Sequence, residues 1–179
     1  PGECGLRAGD ELTLMRIQIL GTAAAEGWPG LFCGCEACAR ARELGGKNVR
    51  SRASVQIDDT IKIDLPPDTF HHSVRFGLDL SRLKHLFFTH SHGDHFSPTE
   101  LEYLAEGFSH NLANPPVMVY GGPKVIESVR RRCERRRLPV KPVELSPFRP
   151  VKADHLTFTP IVAEHAQEEL CFNYVVQSE

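Results

Sequence analysis

The chain has 179 residues, 41% of them hydrophobic, with 21 Lys and Arg against 23 Asp and Glu and a formal net charge of −2. That length suits one globular domain with its own core. The near-neutral charge gives no bulk attraction to nucleic acid or an anionic lipid surface. No apolar run approaches the roughly 18 residues of a membrane-spanning helix.

The start lacks the basic region and apolar stretch of a secretory signal. Met15-Arg16-Ile17-Gln18-Ile19-Leu20-Gly21 reads as a natural beginning, so residues 1–14 are expected to be an extension and 15–179 the domain. Leu12 to Leu20 alternates branched and polar residues and predicts a first strand. A small-residue loop, Gly21 to Gly30, follows and closes on Trp28-Pro29-Gly30. Three of the 6 Cys then crowd into Cys33-Gly34-Cys35-Glu36-Ala37-Cys38, opening a short helix of Ala37, Arg40, Ala41 and Leu44 that stops at Gly45-Gly46.

Ser54 to Ile57 and Thr60 to Ile63 predict a hairpin turning at Asp58-Asp59, ended by Asp64-Leu65-Pro66-Pro67-Asp68. Phe70 to Phe76 predicts a short helix, leading through Asp79 and Ser81 to Leu86-Phe87-Phe88. Nothing polar alternates with that apolar run, which therefore reads as a strand buried on both faces. Ser97-Pro98-Thr99-Glu100 has the pattern of a capped helix start, with Glu100 completing a capping box and Leu101, Leu104 and Ala105 on the buried stripe. Val117 to Tyr120 predicts a strand, and Gly121-Gly122-Pro123 opens a helix that buries Val125, Ile126, Val129 and Cys133. Val140 to Leu145, Leu156 to Ala163 with an interruption at Pro160, and Leu170 to Val176 complete the strands. Strands alternating with helices, with some hairpins among them, define an α/β chain with a mixed sheet.

Directly after the buried strand come Thr89-His90-Ser91-His92-Gly93-Asp94-His95. His90 and His92 lie two apart, so an extended backbone points both to one side. Gly93 allows a sharp turn that returns Asp94 and His95 to the same space. Neutral imidazoles with a carboxylate suit zinc, manganese or iron, and the sequence does not choose among them. The three clustered cysteines read either as part of a disulfide framework or as thiolate ligands. Their tight spacing, without secretory signals, favours thiolates in a reducing cytoplasm and a structural zinc lacking one further ligand.

Elsewhere Arg130-Arg131-Arg132 and Arg135-Arg136-Arg137 form the one charge run, read first as a solvated helix face and otherwise as a phosphate or RNA contact. His71, His72, His110 and His155 have no partner spacing, and Cys4, Cys133 and Cys171 read as isolated residues. Asp58, Asp59 and Asp64 read as turn and strand-end residues, Asp64 also as a brace for the metal loop.

The run His90-x-His92-x-Asp94-His95 resembles the H-x-H-x-D-H signature of the metallo-β-lactamase superfamily. The resemblance implies a four-layer αββα sandwich, two sheets face to face with helices outside. It implies a first metal site from His90, His92 and a later histidine, for which His165 fits by position. It implies a second site using Asp94 and His95, so two divalent metals in the full-length protein, zinc or manganese first and iron as well. Bound water brought to a pKa of around 7 would supply hydroxide as the nucleophile, with Asp94 orienting it or taking its proton. Superfamily members carry a bridging Asp and a further His later in the chain. This chain ends at Val175-Val176-Gln177-Ser178-Glu179, so it is expected to be the N-terminal portion of a longer domain and inactive alone.

Gly21-Thr22 and the loop to Cys38 also resemble phosphoribosyl cyclic phosphate phosphodiesterases of that superfamily. The expected function is therefore hydrolysis of a phosphodiester in a small phosphorylated or cyclic phosphate substrate. Nucleic acid and membranes are not expected partners; a homodimer is the assembly that fits. Two alternatives stand beside it: a ribonuclease of the tRNA 3′-processing type, and a non-catalytic metal-binding or biosynthetic protein.

Overall fold

Leu86, Phe87 and Phe88 expose none of their surface, which is the burial a strand covered on both faces requires. In the computed structural model, which describes residues 15–178, this run forms β4 (His85–Phe87) and continues as the chain enters the histidine loop. The expected extension 1–14 and the first residues of the predicted opening strand lie outside the described residues.

A six-stranded sheet surrounds β4 in the order β1 (Ile17–Gly21), β2 (Ser54–Ile57), β3 (Ile61–Ile63), β4, β5 (Val117–Gly121) and β6 (Val140–Glu144). β1, β2 and β3 pair antiparallel, and β3 to β6 pair parallel. A second, three-stranded antiparallel sheet holds β7 (Val151–Ala153), β8 (Leu156–Ala163) and β9 (Cys171–Ser178). The helices are α1 (Glu36–Leu44), α2 (Thr69–Phe76), α3 (Pro98–Glu102) and α4 (Pro123–Arg136).

Successive residues of β4 serve different layers, as the period of two demands. Leu86 and Phe88 join Val117, Val119, Leu101, Val125 and Val129 in a core between the large sheet and α3 and α4. Phe87 points the other way, stacking on Tyr120 at 4.3 Å and Phe158 at 4.0 Å between ring centroids, in the core between the two sheets. Helix, large sheet and small sheet thus form three successive layers of the expected sandwich. The small sheet is stitched to the end of β4: Phe172 N–H donates to the Thr89 carbonyl at 2.8 Å, and Tyr174 Oη donates to the Phe88 carbonyl at 2.6 Å.

Two local readings differ from the sequence. β8 runs unbroken through Pro160, which pairs with Tyr174. The Pro160 carbonyl accepts from Phe148 N–H, so its missing N–H points to that same side, away from β9, and costs the β8–β9 ladder nothing. α3 begins where predicted but lasts only five residues, and Ser97 makes no side-chain cap bond. Glu100 instead sits half-buried without a partner among the described residues, and burial raises its pKa. Gly21 owes its identity to close approach rather than to φ: a Cβ there would stand 2.0 Å from the Arg52 carbonyl oxygen.

Candidate metal centre

The site is built at the end of β4, from the loop that follows it and the β8–β9 connection. Bends at Thr89 and Ser91, rather than extended backbone, bring His90 and His92 together with ring centroids 4.6 Å apart. His165 arrives from the far end of β8, 4.7 Å from His90 and 5.1 Å from His92. One nitrogen from each of His90, His92 and His165 lies within 4.8 Å of the other two.

The ring orientations identify those atoms. His90 Nδ1 is 2.9 Å from Thr89 Oγ1, which leaves Nε2 buried with no partner. His92 Nδ1 faces His165 Nε2 at 3.3 Å. Burial, reinforced by the neighbouring His95 and His92, lowers the His90 pKa to about 4, so its ring is neutral at pH 7 and its lone pair available. An orphaned buried nitrogen and two nitrogens facing each other fit a divalent cation. Ligands about 2.0–2.1 Å from a tetrahedral zinc stand roughly 3.3 Å apart.

Asp94 and His95 lie beside this trio without joining it. The His95 ring is 4.2 Å from that of His90, and its Nε2 is 3.3 Å from Asp94 Oδ2. Its Nδ1 is 2.7 Å from Asp64 Oδ2. Burial works against the charged ring, but the Asp64 bond and the charges of Asp64 and Asp94 outweigh it and raise the His95 pKa. The turn needs no glycine: Gly93 has no positive φ, and His92 O accepts from His95 N and Phe96 N as in any helical turn.

Asp64 braces the loop. It is buried, at φ 60, and accepts from Thr89 N–H at 2.9 Å and from Thr89 Oγ1 as well as from His95. Leu65 extends the brace by bonding His95 O and Ser97 N at 2.8 Å each. Beneath it the fully buried Lys62 donates to Ser54 Oγ at 2.7 Å, and Ser54 Oγ donates to the Asp64 carbonyl at 3.0 Å. Burial lowers the Lys62 pKa to about 7 against the pull of Asp64.

Glu169 escaped sequence reasoning. It follows His165 in a polar stretch, Gln167-Glu168-Glu169, with nothing to distinguish it from a solvated loop. Its side chain is 1% exposed, and it accepts from Ser91 N–H and Ser91 Oγ at 2.9 Å each.

The cysteine loop forms a separate cluster. The sulfurs of Cys33, Cys35 and Cys38 lie within 4.8 Å of one another, and no fourth ligand joins them among the described residues. Cys33 and Cys35 are 3.3 Å apart as free thiols, not a disulfide. Cys35 precedes α1, and the Cys38 backbone N–H, with the thiols of Cys33 and Cys38, lowers its pKa to about 7. The arginine run is largely tied down: Arg132, Arg135 and Arg136 surround Glu102, Arg130 meets Glu144, and Arg131 meets Glu127. Of the unassigned histidines, His72 is fully buried with Nε2 2.7 Å from Ser51 Oγ, and His155 lies 3.5 Å from Asp58.

The family model of the β-lactamase superfamily domain matches residues 61–179, and the chain belongs to that family. The H-x-H-x-D-H loop and the facing sheets make it a metallo-β-lactamase-type domain. Its fold is similar to the crystal structure of a diphosphatase from the PhnP family (TM-score 0.72, 19% identity, covering 91% of this chain and 63% of that one). It is also similar to zinc-bound PqqB from Methylobacterium extorquens (0.70, 18%, 92% and 59%). A third similar structure is the short form of human tRNase Z (0.60, 17%, 93% and 64%). The chain therefore spans about 60% of the length of these structures. No curated protein matches the chain in sequence. No helix among the described residues is long and apolar enough to cross a membrane.

Proposed function

We propose that the protein is a metal-dependent hydrolase that cleaves a phosphodiester in a small phosphorylated or cyclic phosphate substrate. The observation that carries the reading is the convergence of one ring nitrogen each from His90, His92 and His165 at the end of a buried strand. A divalent ion held there supplies Lewis acidity toward a phosphoryl oxygen and lowers the pKa of water to about 7. Zinc and manganese are the first candidates, and iron suits the same donors.

The chain's own groups do the rest. Thr89 fixes the His90 ring, and Asp64 fixes that of His95. Asp94 and His95 stand ready beside the trio for a second ion. Asp94 is the carboxylate at the edge of the site that can accept a proton from the attacking water. A structural zinc at Cys33, Cys35 and Cys38 would tie the loop after β1 to the start of α1, and free thiols suit a reducing cytoplasm. The cysteine loop and the likeness to a diphosphatase support a small phosphorylated substrate over RNA. Of the six arginines that favoured RNA, five are paired with Glu102, Glu127 or Glu144.

The test is hydrolysis of bis(para-nitrophenyl) phosphate by the natural full-length protein loaded with zinc or manganese. Release of nitrophenolate that His92→Ala abolishes is the expected result. Metal-loaded protein no faster than metal ion in buffer would overturn the reading.

A further inference from the structure

A neutral imidazole carries one N–H, so a histidine ligates through one nitrogen only if the proton sits on the other. At His92 the two ring nitrogens face different neighbours. Nδ1 faces His165 Nε2 at 3.3 Å, whereas Nε2 faces Glu169 Oε1 at 3.8 Å. We propose that Glu169 is a positioning residue whose buried carboxylate holds the His92 proton on Nε2 and so keeps Nδ1 free to bind a metal ion. The inference rests on the reading of His90, His92 and His165 as a metal site.

Three features give Glu169 this role. Its carboxylate is almost dry, at 1% exposure, so its field on the ring is weakly screened. With the proton on Nδ1, the Nε2 lone pair would face that negative oxygen; with the proton on Nε2, an N–H dipole does. At 3.8 Å the contact is longer than a hydrogen bond and acts as a charge on a dipole. Second, Oε2 accepts from Ser91 N–H and Oε1 from Ser91 Oγ, each at 2.9 Å. Ser91 separates His90 from His92, so the carboxylate that selects the tautomer also fixes the backbone between two ligands. Third, Lys124 Nζ lies 3.7 Å from Oε1, half-exposed at the start of α4. A chain of contacts thus runs from α4 through Glu169 to the histidine loop. A carboxylate facing the non-ligating nitrogen of a metal-bound histidine orients the ring and strengthens it as a donor.

The test uses metal-free protein in mildly alkaline buffer and reads the His92 tautomer from proton–nitrogen correlations of the histidine rings. Zinc titration against a chromophoric chelator follows on wild type, Glu169→Gln, Ser91→Ala and His90→Ala. The amide of Glu169→Gln keeps the size but turns an N–H₂ toward either Ser91 N–H or His92. The expected results are Nε2–H in wild type and Ser91→Ala, a shift toward Nδ1–H in Glu169→Gln, and zinc affinity lowered about 10–100-fold in that variant. His90→Ala should lose the histidine-site zinc altogether, which isolates that site from the cysteine loop. If His90→Ala binds as much zinc as wild type, with equal affinity, the metal-site reading fails and this inference with it. If only wild type and His90→Ala differ, while Glu169→Gln stays within twofold of wild type with an Nε2–H ring, the role of Glu169 is overturned and the metal site stands. A wild-type His92 ring protonated at Nδ1 overturns it even if Glu169→Gln does not fold.

Discussion

Asp64 is the residue on which the histidine loop depends most, and its removal should be costly in a calculable way. Its side chain is 5% exposed and bonds Thr89 N–H, Thr89 Oγ1 and His95 Nδ1. Asp64→Ala leaves the Thr89 N–H and the His95 ring N–H without acceptors in a buried place, at about 1–3 kcal/mol each. It also puts a Cβ-bearing residue without a local polar compensation at φ 60, roughly 1 kcal/mol more. Together these predict a loss of roughly 3–7 kcal/mol, overlapping the roughly 3–5 kcal/mol typical of removing one partner of a buried pair. Asp64→Asn tolerates the same φ and still accepts from Thr89, but opposes an amide to His95, so it should cost roughly 1.5–3 kcal/mol. Urea unfolding of the metal-free chain measures both. An alanine variant within about 1 kcal/mol of wild type, or an asparagine variant as damaged as alanine, would refute the reasoning.

Burial lowers the Lys62 pKa from 10.5 to about 7, so the unfolded chain binds the extra proton between those values. Stability should therefore climb with pH across that window by up to about 1.4 kcal/mol per pH unit. Lys62→Met should flatten that climb in chemical denaturation; an unchanged slope would mean the ammonium is not buried. Gly21→Ala should cost about 1–3 kcal/mol of stability, because the methyl meets the Arg52 and Ser51 carbonyls rather than a movable side chain. Wild type should bind RNA weakly, whereas Glu102→Ala, which frees Arg132, Arg135 and Arg136, should bind it more tightly and with a steeper salt dependence. Equal salt slopes would count against the ion-paired picture of that helix.

The strands and the metal loop were legible because their signals are local. Leu86-Phe87-Phe88 is apolar without alternation, and a parallel strand between two layers has no other composition. The histidines follow it directly, so chemistry and placement arrive together. His165 needed the resemblance, because its partners are 73 residues away and one histidine carries no spacing. Glu169 was illegible for the same reason: its burial depends on Ser91, 78 residues back. The capping box did not form: Ser97 makes no side-chain bond to α3, and Glu100 instead lines a cleft with Leu101, Leu104 and Phe108. The turn at Gly93 is present and returns His95 to the side of His90, but it is a short helical turn that does not draw on glycine's freedom. At Pro160 the expectation of a break ignored which side of the strand the missing N–H faces.

The protein should hold two independent metal sites, one of histidines and one of cysteines. Elemental analysis of metal per chain on wild type, His92→Ala and Cys35→Ser is the decisive experiment. Each variant should lose its own metal and keep the other. Metal content unchanged by His92→Ala would contradict it, since the three nitrogens that meet beyond β4 would then hold nothing.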